Sequence, residues 1–187
     1  YMTEDVRPTV SSHTFTVAQA TQMLGVIEEK NGTPINWRNL YEKAINHDVK
    51  EAITGDILSH VKNRNKQMKA LVQQIENELT EDYIFSKLPS EYVDIYRKIL
   101  NNDKDETIEG QILEAADKID ALIEAIIELQ RNNPEEEFFK CFIENIRFLR
   151  DMDLYSVKYF LNNILFELIG DATELKKIAK QILTWRL

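Results

Sequence analysis

The stretch INHDVKEAITGDI, residues 45–57, places an imidazole and two carboxylates where an apolar helix face should continue. Upstream of it, Trp37, Leu40 and Ala44 recur at spacings of three and four residues, which is the pattern of a buried helical stripe. The polar side chains that continue this stripe are His47, Asp48 and Glu51. Burying such groups without partners is costly, so the sequence predicts a compensating group nearby.

Composition limits the classes of protein to which the chain can belong. Its 187 residues suit one domain, residues 1–187, and the 43% apolar and 29% charged residues are typical of a globular protein. The net charge of −9 argues against a nucleic-acid polymer as partner. No apolar run approaches the roughly 20 residues of a membrane span, and no signal peptide is recognisable. With a single cysteine, Cys141, we expect a cytoplasmic protein.

Apolar periodicity predicts an all-α fold. No segment alternates like a strand, and the 5 glycines and 4 prolines leave room for long helices. The predicted helices cover about residues 9–30, 37–52, 58–80, 89–100 and 107–131, followed by C-terminal helices in 135–187 that pack on the rest.

Two histidines lie on inward-facing helical positions. His13 lies between Val10 and Val17 on the first apolar stripe, and His47 is four residues before Glu51, so each points towards the core. Imidazole and carboxylate ligands together suit Mn, Fe, Co or Zn better than Mg. A divalent cation would also compensate the buried carboxylates, whereas His60, in a polar segment, is interpreted as solvated.

A histidine, a distant His-Asp pair and a further distant aspartate form the signature of the HD superfamily of metal-dependent phosphohydrolases, which this sequence resembles. The segment HDVKEAITGDI, residues 47–57, is similar to the motif H-D-x-x-E-x-x-x-G-D-[IL] of the bacterial HD-type 5′-deoxynucleotidases. TVSSHTFTVA and EAADKIDAL resemble the segments that carry that family's first and last ligands. The resemblance covers about residues 5–129 and implies an HD-domain helical bundle with additional C-terminal helices.

The resemblance also implies roles for particular residues. One divalent transition metal ion (Mn, Co, Fe or Zn) would be held by His13, His47, Asp48 and Asp117. Glu51 would hold and polarise the attacking water, and Asp56 would support the reacting centre or protonate the leaving group. Lys62 matches a lysine at the same offset in the family and would bind the phosphate, and Arg7 is the nearest basic residue that could serve in place of a family arginine. The implied reaction is hydrolysis of (deoxy)nucleoside 5′-monophosphates to nucleoside and phosphate.

Three positions depart from the family pattern. Ser12 replaces the glutamate that usually precedes the first histidine, and the family's Arg-Trp pair would fall before Tyr1. Because a reading frame begins with methionine and this chain begins with tyrosine, we expect residues to precede it. The helical wheel places Asp117 on the polar side of its helix, with Glu124 and Glu128, and Asp120 nearer the apolar edge. Spacing alone does not choose between the two aspartates, whereas the resemblance favours Asp117.

Other functions remain open at this point. The chain could instead hydrolyse guanosine tetraphosphate or a nucleoside triphosphate, although Ala52 stands where guanosine tetraphosphate hydrolases typically carry aspartate. It could also be a non-catalytic helical module that binds a nucleotide. Aromatic residues are frequent in the last third; most are expected in the core, and an excess could bury a homodimer interface.

Overall fold

A computed structural model describes residues 9–54 and 65–184, and across these ranges the fold is all-α with no strand, which confirms the predicted fold class. A short 3₁₀ helix covers Phe85–Lys87. The α-helices are α1 (Val10–Lys30), α2 (Trp37–Asn46), α3 (Glu51–Thr54), α4 (Lys66–Tyr83), α5 (Ser90–Leu100), α6 (Ile108–Gln130), α7 (Glu136–Asp151), α8 (Tyr155–Asn163), α9 (Leu165–Ile169) and α10 (Thr173–Thr184).

Helix α6 is the centre of the bundle and packs against α1, α2 and α7. Its side chains Ile112, Leu113 and Leu122 have no exposed surface. Because neighbours cover so much of this helix, even its carboxylate Glu109 is buried, where it accepts a hydrogen bond of 2.8 Å from the backbone N–H of Asn36 at the start of α2. That contact offsets the cost of burying the charge.

Gly25 allows α1 and α2 to approach closely. A Cβ atom at this position would lie 2.8 Å from Cδ2 of Leu40 and 3.0 Å from the Trp37 ring, so a larger residue would push the two helices apart. Leu24 and Leu40 are fully buried beside this crossing. This close approach holds α1, which carries His13, against α2, which ends just before His47.

The C-terminal helices pack on the bundle through α7 and α8. Glu28 of α1 is 3% exposed, and its Oε1 accepts a hydrogen bond of 2.7 Å from the backbone N–H of Ser156 in the first turn of α8. Phe142 and Phe160 belong to the core, as expected for the aromatic residues of this region. Four further aromatic side chains are 38–47% exposed, namely Phe139, Phe148, Tyr155 and Tyr159.

The helix predicted over 37–52 is interrupted. It ends at Asn46, and residues 47–50 form turns in which backbone N–H groups bond three residues back, as Glu51 does to Asp48 at 3.0 Å, before α3 begins. The continuous helix expected over 37–52 was therefore wrong, because the chain tightens at the His-Asp pair. The helix predicted over 58–80 is described from Lys66 onward, as α4 (Lys66–Tyr83).

Within residues 9–54 and 65–184, no helix combines the length and apolarity that crossing a membrane would require.

Candidate active site

His13 stands in the first turns of α1 and has acidic neighbours at both ring nitrogens. Its Nδ1 lies 2.7 Å from Oδ2 of Asp120, while its Nε2 lies 3.1 Å from Oδ2 of Asp48 and 3.4 Å from Oδ1 of Asp117. The two α6 aspartates thus contact opposite sides of the same imidazole. Asp120 fixes the orientation of the ring, and Nε2 faces the group formed by the other residues.

His47 follows α2 directly and is held in the same way. Its side chain is only 1% exposed, and Nδ1–H donates a hydrogen bond of 2.9 Å to the backbone carbonyl of Ala44. This contact leaves Nε2 facing inwards, 3.3 Å from Nε2 of His13 and 3.3 Å from Oδ2 of Asp48. The neighbouring residues His47 and Asp48 therefore direct their donor atoms to one point, although adjacent helical positions differ in direction by about 100°.

Asp117 brings a third helix to this point and links it to a lysine. Its Oδ1 lies 3.4 Å from Nε2 of His13, and its Oδ2 accepts a hydrogen bond of 2.7 Å from Nζ of Lys104. Lys104 belongs to the connection between α5 and α6 and is 34% exposed at its side chain. One carboxylate thus bridges the histidine group and a cation at its edge.

The pKa values of the group reflect these contacts. Hydrogen bonds with Asp117, Asp120 and Asp48 raise the pKa of His13 to about 12, although burial opposes the shift. Burial lowers the pKa of His47, but its contacts with Asp48 outweigh burial, so the net direction is upward. Burial raises the pKa of Asp48, while hydrogen bonds from both histidines bring it well below its ordinary value. With its pKa raised so far, His13 carries a proton at pH 7 and partly balances these carboxylates.

The donor set fits a transition metal ion. One donor atom each from His13, His47 and Asp48 lies within 4.8 Å of the others, and these three residues form a possible metal site. Two imidazole nitrogens and carboxylate oxygens are ligands that such ions prefer. In both histidines the other ring nitrogen is occupied by a carboxylate or a carbonyl, which is the usual support of a metal-binding imidazole.

Four of the residues singled out in the sequence are brought together: His13, His47, Asp48 and Asp117. Glu51 is half-buried at the start of α3, and its backbone N–H donates to the carbonyl of Asp48, which ties the two residues locally. The predictions for Arg7, Asp56, His60 and Lys62 concern positions outside the described residues.

The sequence did not predict the contacts that three further residues make around this site. Spacing alone allows Asp120 as the last ligand, whereas in the structure it supports His13 from the opposite side to Asp117. Lys104 and Lys43 were not singled out, because a lysine in a polar loop and a lysine on a helix carry no motif. One signal was available for Lys43: it lies one turn before His47, beside the buried Ala44.

Comparisons with known proteins agree with this geometry. The family model described as 5′-deoxynucleotidase YfbR-like matches residues 1–168. A 5′-deoxynucleotidase of Vibrio vulnificus is 30% identical over 154 residues, which cover 82% of this chain and 78% of the relative. A 4′-phosphooxetanocin A phosphatase of Priestia megaterium is 36% identical over 131 residues, covering 67% of this chain and 63% of the relative.

The fold also matches a solved structure. The crystal structure of an HD-domain phosphohydrolase from Listeria innocua superposes with a TM-score of 0.88 at 34% identity, covering 98% of this chain and 90% of the other. The PH0347 protein of Pyrococcus horikoshii matches with a TM-score of 0.59 at 27% identity, over 88% of this chain and 84% of that one. The chain belongs to the YfbR-like 5′-deoxynucleotidase family and is a metal-dependent phosphohydrolase of the HD-domain fold.

Proposed function

We propose that this enzyme hydrolyses (deoxy)nucleoside 5′-monophosphates to a nucleoside and inorganic phosphate, with His13, His47, Asp48 and Asp117 as the ligands of one divalent metal ion. The observation that carries the proposal is the convergence of these four side chains, with His13 Nε2 within 3.4 Å of a donor atom of each of the other three. The proposed ligands come from α1, from the turn after α2 and from α6. We propose Mn, Co, Fe or Zn as the ion, from the mixed nitrogen and oxygen donors.

The protein residues divide the remaining work. A divalent ion at this site would act as a Lewis acid towards the phosphate and acidify a water molecule. We propose that Glu51 orients that water and accepts its proton while the oxygen attacks phosphorus. Asp56 would donate a proton to the 5′ oxygen as the P–O bond breaks. Asp120 and the Ala44 carbonyl hold the two imidazole rings in place.

The choice of substrate class is supported by the relatives. The protein of Vibrio vulnificus is named a 5′-deoxynucleotidase, and that of Priestia megaterium a phosphatase of a phosphorylated compound. Both names describe removal of one phosphate from a small molecule. We propose Lys62 as a phosphate-binding residue on the strength of the family resemblance, and Arg7 as the basic residue that serves where the family carries an arginine.

The proposal is tested by phosphate release from dAMP, dGMP, TMP, dUMP and AMP, each with Mn²⁺ or Co²⁺ added. GTP, guanosine tetraphosphate and 3′-dAMP provide the comparison with other phosphoesters. We expect release from the 5′-monophosphates and loss of turnover by about a thousandfold in Glu51→Gln, with Mn²⁺ still bound. If calorimetry shows that the wild-type protein binds Mn²⁺ but no phosphate is released from any of the five 5′-monophosphates, the substrate assignment is refuted.

We further propose that residues 1–187 act as a single domain in the cytoplasm, on small nucleotides and not on nucleic-acid polymers. The net charge of −9 supports the exclusion of polymers, since a phosphate backbone requires a basic surface. A homodimer is supported by the exposed aromatic residues Tyr155 and Tyr159, one turn apart on α8. Light scattering on the eluting protein measures the mass, for which we expect twice that of the 21.9 kDa chain.

A further inference from the structure

The loop that joins α5 to α6, residues 101–107, is anchored to the helix that precedes His47. The Lys43 side chain of α2 is completely buried, and its ammonium donates hydrogen bonds of 2.6 Å to the carbonyl of Asp103 and 2.8 Å to Oδ2 of Asp105. A buried ammonium with two such acceptors is a costly group that fixes its partners in position. The loop is therefore set by the same element that positions the metal-binding histidine.

Further contacts hold the loop on both sides of Lys104. Nδ2 of Asn102 donates a hydrogen bond of 2.8 Å to Oδ1 of Asn39, one turn before Lys43. Gly110 brings the first turn of α6 so close that a Cβ atom at this position would overlap Asp105. These contacts surround Lys104 and present its side chain to the site.

Lys104 is the residue of this loop that reaches the ligand group. Its ammonium contacts Oδ2 of Asp117 at 2.7 Å, and the other oxygen of the same carboxylate faces His13 Nε2. The cation is thus separated from the ligand atoms by the width of one carboxylate. An ammonium has three N–H donors, and the contact with Asp117 engages one of them.

The net charge around the site explains what the ammonium of Lys104 would do. Asp48, Asp117 and Asp120 contribute three negative charges, and a divalent ion bound by neutral histidines contributes two positive charges, which leaves one negative charge. The carboxylate of Glu51 adds another. A phosphomonoester is itself a dianion at neutral pH, with a second pKa of about 6. The ammonium of Lys104 cancels the negative charge left by the three aspartates.

We propose that Lys104 is a further substrate-binding residue: its ammonium contacts a phosphate oxygen of the substrate while it remains beside Asp117. The inference rests on the proposed function, because it assumes a phosphate ester at the metal site. Loop 101–107, which the buried Lys43 anchors, would hold this ammonium beside the substrate phosphate.

The test compares Lys104→Met, Lys104→Arg and Lys118→Met. Lys118 follows Asp117 on α6, and its ammonium lies 5.7 Å from the centre of the Phe148 ring. Lys118→Met therefore removes a positive charge that lies close to Asp117 in sequence but is directed at an aromatic ring. Calorimetry measures two constants for each protein: the Kd of Mn²⁺, and the Kd of inorganic phosphate at saturating Mn²⁺. Circular dichroism checks that each variant is folded.

We expect Lys104→Met to bind phosphate about tenfold more weakly, with the Kd of Mn²⁺ within about threefold of wild type. Lys104→Arg should recover most of the loss, and Lys118→Met should resemble wild type. In turnover, KM for a 5′-monophosphate should rise by the same factor, with kcat nearly unchanged.

Two results would overturn the assignment. Unchanged phosphate affinity in Lys104→Met would show that the ammonium does not contact the ligand. A large loss of Mn²⁺ affinity, with normal phosphate affinity once Mn²⁺ is saturating, would show that Lys104 only holds Asp117. If the wild-type protein binds Mn²⁺ but hydrolyses no 5′-monophosphate, the proposed function fails, and the calorimetric comparison still decides the role of Lys104.

Discussion

Asp120 lies 2.7 Å from Nδ1 of His13 and therefore supports the imidazole from the side opposite to the ligand group. Asp117, three residues earlier on α6, contacts the other ring nitrogen of the same histidine. Two aspartates of one helix thus have different functions, one as a proposed metal ligand and one as the support of a ligand.

The difference predicts unequal effects of matched substitutions. Asp120→Asn keeps an oxygen that can accept from His13 Nδ1–H, so we expect Mn²⁺ affinity to fall by about tenfold, at the low end of the range for outer partners. Asp117→Asn removes a charged ligand, and we expect a loss of more than about a hundredfold. Calorimetric titration with Mn²⁺ measures both. Equal losses in the two variants would contradict the division of roles.

Binding of the metal ion should release protons. His13 has a pKa raised to about 12 by its three aspartates, so the ring is protonated at pH 7 in the metal-free protein, whereas it must lose the Nε2 proton to bind a cation. The pKa of His47 is raised as well, so we expect at least about one proton to be released per Mn²⁺ at pH 7, and Mn²⁺ affinity to rise at least about tenfold per pH unit between pH 6 and 8. Calorimetry in buffers of different ionisation enthalpy measures the number of protons released. A count of zero would mean that metal binding displaces no proton from His13.

The buried lysine of α2 should contribute to stability. Lys43→Met retains the straight aliphatic chain but leaves the Asp103 carbonyl and the Asp105 carboxylate without the ammonium. We expect the free energy of unfolding to fall by about 1–3 kcal/mol, since Asp105 is 45% exposed and can regain water. Urea unfolding measures it. Lys98→Met, at an exposed position of α5, is the control and should change stability by less than about 0.5 kcal/mol.

Glu28 predicts a second stability effect, at the contact between α1 and the C-terminal helices. Its two carboxylate oxygens accept from the backbone N–H of Ser156 and from the Thr33 hydroxyl, the latter at 3.1 Å. Glu28→Ala leaves the buried N–H unpaired and should cost about 2–3 kcal/mol in urea unfolding. Glu29→Ala removes an exposed carboxylate that accepts from the Trp37 indole, and should cost less than about 1 kcal/mol. Similar costs for the two variants would argue against the buried contact.

The sequence predicted the fold class and most helix positions because apolar spacing is a local property. The long helix expected over 107–131 is observed as Ile108–Gln130. The helix predicted over 37–52 was wrong at residues 47–50, where hydrogen bonds to the third residue back replace the regular helical pattern. At this break both His47 and Asp48 contact His13 of α1, and spacing along one helix does not describe contacts between helices.

The part of the site that follows from apolar spacing along single helices could be predicted from the sequence. His13, His47 and Asp48 stood out because polar residues interrupted apolar stripes, whereas Asp117 was selected only by resemblance, since the wheel placed it on a polar side. That side is not uniformly exposed: Glu128 on it is 1% exposed. Lys104 and Lys43 act through contacts with Asp117 and Asp105, in which the loop is joined to two different helices. No periodicity marks contacts of that kind.

The central claim is that His13, His47, Asp48 and Asp117 hold one ion. Crystals of the Glu51→Gln variant soaked in Mn²⁺, with diffraction recorded for the anomalous signal of manganese, test it most directly. We expect one peak at about 2.0–2.4 Å from Nε2 of each histidine and from one oxygen of each of the two aspartates. A peak elsewhere, or a peak from which any of the four side chains points away, would contradict the claim.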